Sequence, residues 1–84
     1  MRFRPRGHSM SPLIESGQLC TVEPVEATSL AVGDIVLCEV GRAQYLHLVT
    51  RFEAGRFEIG NNRGGINGWV DAEQIHGRLV KVEA

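Results

Sequence analysis

Few side chains in this sequence could do covalent chemistry, and the one best placed is Ser9, inside Gly7-His8-Ser9-Met10-Ser11-Pro12. A serine hydroxyl is a poor nucleophile at neutral pH. It needs an exposed turn, a nearby base, and backbone N–H donors aimed at the oxyanion that develops during acyl transfer. Gly7 lets backbone or substrate approach closely. A short helical turn after Ser9, with Pro12 near its start and Gly17 as its stop, would leave unpaired N–H groups beside the hydroxyl. Met10 and Pro12 would anchor that turn, with Gly7 and Met10 framing the oxyanion. A serine that merely N-caps a helix presents the same local pattern, so the partners decide the matter. His47 is the favoured partner: an imidazole with a pKa of about 6.5 is mostly neutral near pH 7 and able to accept a proton. A strand histidine satisfied by a backbone carbonyl is the structural alternative. His8 adjoins Ser9, and His76 precedes the last strand; both rank lower as bases.

The elements that must position these groups are almost all β. Gln18 to Pro24 alternates apolar and polar residues and is closed by a proline, which predicts a first strand. Val25 to Val32 has little periodicity. Gly33-Asp34 then supplies turn chemistry before the apolar run Ile35-Val36-Leu37-Cys38, with Asp34 expected to cap that turn. Gly41-Arg42 predicts a tight connection into Ala43 to Arg51, where Tyr45, His47 and Val49 share one face. A second hairpin is expected from Leu48–Phe52 to Arg56–Ile59 through Gly55, and a last strand from Gly77 to Val82. Gly60 to Gly68 carries the densest loop signal, and one helical turn is expected in Asp71 to Ile75. Trp69 and Tyr45 are expected to pack in the core or at its rim.

With 84 residues, the chain has material for one core, and we expect a single domain over 1–84. Nine basic and ten acidic side chains give a net charge of −1, which argues against a broad cationic face for nucleic acid. A β-barrel nucleic-acid binder would have to rely on Arg2, Arg4, Arg6 and Arg63; the first three alternate and read as a solvated basic terminus. No apolar run approaches the roughly 20 residues needed to cross a bilayer, and no signal peptide is evident, so a cytoplasmic location and no membrane span are expected. Cys20 and Cys38 lie in apolar runs without CxxC spacing and are expected to be free, buried thiols. No metal or other cofactor is expected.

Taken in order, the motifs resemble those of the LexA-like and type I signal peptidase superfamily of serine peptidases. The matching residues are Ser9-Met10-Ser11-Pro12-Leu13-Ile14 with Gly17, then Gly33-Asp34-Ile35-Val36, then His47-Leu48-Val49, the Gly60-Asn61-Asn62 loop, and Gly77-Arg78-Leu79-Val80. The likeness covers nearly the whole chain. It implies a compact, mainly β fold of short antiparallel strands with one or two single-turn helices. It also implies a serine endopeptidase that attacks a peptide held in extended form and passes through an acyl-enzyme. Such proteins place a lysine or, in archaeal and endoplasmic-reticulum signal peptidases, a histidine at the head of a basic-then-valine triplet. Here that position is His47, because the single lysine, Lys81, lies in the terminal strand.

Three acids of the pattern are replaced: relatives carry Gly-Asp at Gly17-Gln18, Gly-Asp-Asn at Gly60-Asn61-Asn62, and a further Asp at Asn67. An acid from that loop is thought to orient the imidazole in histidine-type relatives. Asn61, Asn67 and Asp71 are the candidates for that work here. An amide can hold a tautomer without stabilising the imidazolium as a carboxylate does. The resemblance therefore implies either a Ser9/His47 peptidase of reduced power or a peptide-binding module of the same fold. So few residues precede Ser9 that neither the self-cleaving linker of repressors nor the anchor of signal peptidases is expected.

Overall fold

The computed structural model describes residues 1–84. Seven strands join one antiparallel sheet: β1 (Arg2–Phe3), β2 (Leu19–Glu23), β3 (Ile35–Val40), β4 (Ala43–Glu53), β5 (Arg56–Gly60), β6 (Ile66–Val70) and β7 (Ile75–Glu83), in the spatial order β1-β2-β7-β3-β4-β5-β6. The only helical pieces are single 3-10 turns at Ala27–Ser29 and Ala72–Gln74. The protein is thus mainly β, as its alternating patterns predict.

Both faces of the central strands are covered by apolar side chains. On one face Cys20, Val22, Leu37 and Leu46 pack with Met10 and Ile14 from the segment before β2; on the other Val36, Cys38, Val49, Phe57, Ile59 and Val70 form a second cluster. Successive residues of β3 therefore enter opposite cores, which explains why Ile35 to Cys38 reads as an unbroken apolar run. Cys20 and Cys38 are free and buried, one in each cluster; burial pushes both thiols up, that of Cys38 to about 11.

Two expectations are corrected. The segment after Ser9 folds as a succession of turns, closed by Ser11 N–H to His8 O and Ile14 N–H to Met10 O, and does not form a helix. The Gly60–Gly68 loop is shorter than predicted, since β6 already begins at Ile66 and pairs with β5 through Gly60↔Ile66 and Ile59↔Gly68. Gly68 has φ 146°, a conformation that L side chains rarely adopt, and it lies beside Val40 of β3, so the outermost strand turns back toward β3 there. The basic terminus is solvated as expected, with Arg2, Arg4 and Arg6 exposed, while its backbone joins the sheet: β1 pairs with β2, and the Met1 ammonium donates to Val22 O.

Asp34 performs the predicted turn-capping role, its carboxylate accepting from Ala31 N–H at 2.9 Å. The long strand β7 runs antiparallel beside β2, and at the end of their pairing a Cβ on Gly77 would fall 2.5 Å from Val22 Cγ1 and 2.7 Å from Glu23 O. Gly77→Ala is therefore expected to cost about 1–3 kcal/mol in denaturant unfolding, and a neutral result would contradict this close approach.

Candidate active site

His47 is the only polar or charged residue in the buried set, with 6% of its surface exposed. A buried imidazole must have partners for both ring nitrogens. They come from distant parts of the chain: Nε2 lies 3.0 Å from Ser9 Oγ and Nδ1 lies 2.9 Å from Asn67 Oδ1. The Asn67 carbonyl can only accept, so Nδ1 carries the proton and donates. Nε2 is left with its lone pair directed at the Ser9 hydroxyl, which donates to it. This is the tautomer a general base toward Ser9 requires.

Three features of the fold place these groups. First, β5 begins to pair with β4 only at Leu48↔Gly60, so the Ala43–His47 half of β4 has no neighbour on that edge. Second, the Ser9 turn occupies the space past the end of β5, with Met10 and Ile14 sunk in the first core. Third, β6 sets Asn67 on the far side of the imidazole.

The turn is also clamped from outside. Asn62 N–H donates to Ser9 O at 2.9 Å, Asn62 Nδ2 to Ser11 O at 2.8 Å, and Arg63 Nε to His8 O at 3.2 Å. From the other side Gly7 N–H donates to Ser16 Oγ, Gly17 N–H to Pro5 O and Arg4 Nη1 to Gly17 O. Ser9 and Met10 keep their N–H groups free of any acceptor in the protein, as the sequence leads one to expect beside a nucleophile.

The remaining candidates go elsewhere. Asn61 Oδ1 accepts from Arg63 N–H and Gly65 N–H, so Asn61 folds the loop and is spent there, although it borders the cleft. Asp71 pairs with Arg56 at 3.1 Å, and its N–H donates to Gln74 Oε1 at the 3-10 turn, so it does not orient His47. Gln18 Oε1 accepts from Glu15 N–H and closes the turn that leads into β2. Lys81 lies against Glu83, and His76 against Glu39. Arg2 and Arg4 are engaged by Glu83 and by Gly17 O.

The hold of Asn62 and Arg63 on the Ser9 turn was not foreseen from the sequence; its one signal was the Gly/Asn loop, in which side-chain amides often satisfy backbone groups.

Ser9 and His47 open onto a cleft of about 660 Å³ whose walls include Arg6, Glu15, Gln44 and Tyr45. Its apolar lining comes from Phe3, Met10, Ile14, Leu37 and Leu46, the flank of the first core that faces the cleft. Nowhere do three His, Cys, Asp or Glu side chains converge to hold a metal ion. No helix is long and apolar enough to cross a membrane. Comparison with protein-family models, curated proteins and solved structures returns no match for this chain.

Burial lowers the His47 pKa below its ordinary 6.5, and the Asn67 hydrogen bond partly offsets this. With the folded pKa depressed, the unfolded chain binds the proton first as pH falls. Stability is therefore full above pH 6.5 and declines as pH drops from there through the folded pKa. NMR titration should find His47 midway below 6.5, and His47→Gln should flatten this part of the stability profile. A midpoint above 6.5 would contradict the burial described here.

Proposed function

We propose that this protein is a serine endopeptidase of the kind its motif order resembles, with Ser9 as nucleophile and His47 as general base. The observation that carries this reading is the continuous hydrogen-bonded line Ser9 Oγ, His47 Nε2, His47 Nδ1, Asn67 Oδ1, with spacings of 3.0 and 2.9 Å, at the edge of an open cleft. Structural histidines need partners too. What favours chemistry is that the serine is held on an exposed turn by three donors to its backbone carbonyls, beside N–H groups left free.

The steps follow from the geometry. Ser9 Oγ attacks a peptide carbonyl as His47 Nε2 takes its proton, and the imidazolium then returns that proton to the departing amine. An acyl-Ser9 ester remains, and water activated by the same Nε2 hydrolyses it. The Ser9 and Met10 N–H groups are the donors for the oxyanion. An amide orienting the imidazole also occurs in cysteine peptidases with a Cys-His-Asn arrangement, so Asn67 suits the role of fixing the tautomer. The apolar lining suits an apolar side chain near the cleaved bond, and the unpaired Ala43–His47 edge suits an extended peptide.

The amide at Asn67 also favours a second reading: a peptide-binding module of the same fold in which catalysis is weak, since no carboxylate stabilises the imidazolium. One experiment separates the two. Labelling by a serine-reactive fluorophosphonate and cleavage of a peptide library are compared in wild type, Ser9→Ala, His47→Ala and Asn67→Asp. Ser9→Ala should abolish both signals, and His47→Ala should lower them about 10²- to 10⁴-fold. Asn67→Asp should raise the rate at neutral pH and move the acidic limb of the pH profile upward, because a carboxylate favours the imidazolium. Labelling that survives Ser9→Ala sinks the enzyme reading, and peptide binding without labelling selects the module.

A further inference from the structure

Two hydrogen bonds at opposite ends of an imidazole fix the line joining its nitrogens and leave the tilt of the ring about that line loosely held. A base needs that tilt controlled, because the Nε2 lone pair lies in the ring plane. Tyr45 supplies the missing restraint. It lies two residues before His47 on the same face of β4, paired across the strands with Cys38 where His47 pairs with Val36. The two rings stack with centroids 4.9 Å apart and planes 26° apart.

Tyr45 is itself half-buried and lines the cleft, whereas the imidazole behind it is almost fully buried. We propose that Tyr45 is a positioning residue of the site, its ring forming the wall on which the His47 imidazole is stacked in line with Ser9 and Asn67. The stack exists in the resting protein; only its effect on rate rests on the reading of Ser9 and His47 as nucleophile and base.

The other neighbours cannot do this work. β3 faces His47 with Val36 and β6 with Asn67, neither of them charged. The charged groups nearby, Arg6 and Glu15, belong to the walls of the cleft and make no hydrogen bond to the imidazole. Burial is the leading influence on the titration of His47, and an aromatic ring against one face of the imidazole is part of that burial.

The test compares Tyr45→Ala, Tyr45→Leu and Tyr45→Phe by NMR titration of His47 and by the rate of fluorophosphonate acylation. In Tyr45→Ala the His47 midpoint should rise toward 6.5, and acylation should slow about tenfold even at a pH where the imidazole is neutral. Tyr45→Phe, which keeps the ring, should recover the wild-type titration and most of the rate. Should Tyr45→Ala fail to fold, Tyr45→Leu keeps apolar bulk without a flat face and should change the rate in the same direction. An unaltered titration and rate in Tyr45→Ala, an unaltered rate in Tyr45→Leu, or a Tyr45→Phe no better than Tyr45→Ala, overturns the proposal. If the wild type takes no label at all, the peptidase reading fails, and the titrations alone still decide whether the stack holds.

Discussion

A buried imidazole that must be satisfied at both nitrogens is the constraint around which this small sheet is arranged. His47 lies 38 residues from Ser9 and 20 from Asn67, so its two hydrogen bonds tie the first turn of the chain to the outermost strand across the middle of the fold. Each bond makes a demand on the backbone. To admit Ser9, β5 must stop short of the first half of β4; to present Asn67, β6 must curl back toward β3. Gly60 and Gly68 meet these demands where a side chain would collide or strain the chain: a Cβ on Gly60 would lie 2.7 Å from Gly65 O, and Gly68 has a positive φ.

The two apolar clusters hold the pieces in place. Met10 and Ile14 fix the Ser9 turn in the first cluster, while Val49, two residues beyond His47 on the same strand, is fixed in the second. Ser9 and His47 are thus anchored through neighbours in different cores and meet where β5 stops short of the first half of β4. The Asn62 and Arg63 clamp closes the remaining freedom, binding carbonyls that a helix would have satisfied internally. A turn held by donors outside itself leaves its own N–H groups available, which a helical turn would also have done at its start.

Much of this was legible in the residues. Alternation placed β2, β4 and the final strand, and the glycines at 41 and 55 marked two hairpins. The order of the motifs pairs Ser9 with His47, and Asn67 is among the loop residues able to orient the imidazole. The rest was hidden for physical reasons. Ile66 to Val70 contains Asn67 and Gly68, both poor strand formers, and becomes a strand only because β5 offers it a partner. The helix expected after Ser9 loses to the clamp, whose donors lie more than 50 residues away, beyond the reach of local propensity. Asn61 and Asp71 looked equal to Asn67 in sequence; they differ because loop closure and the Arg56 ion pair claim them first.

The central claim is that His47 is held between Asn67 and Ser9 as the Nδ1–H tautomer. The most direct measurement is ¹⁵N NMR of the imidazole nitrogens at a pH where the ring is neutral. A protonated, pyrrole-like Nδ1 and a bare, pyridine-like Nε2, with the Nδ1 signal altered in Asn67→Ala, is the expected result. A protonated Nε2, or two averaged signals indifferent to Asn67, would contradict the account.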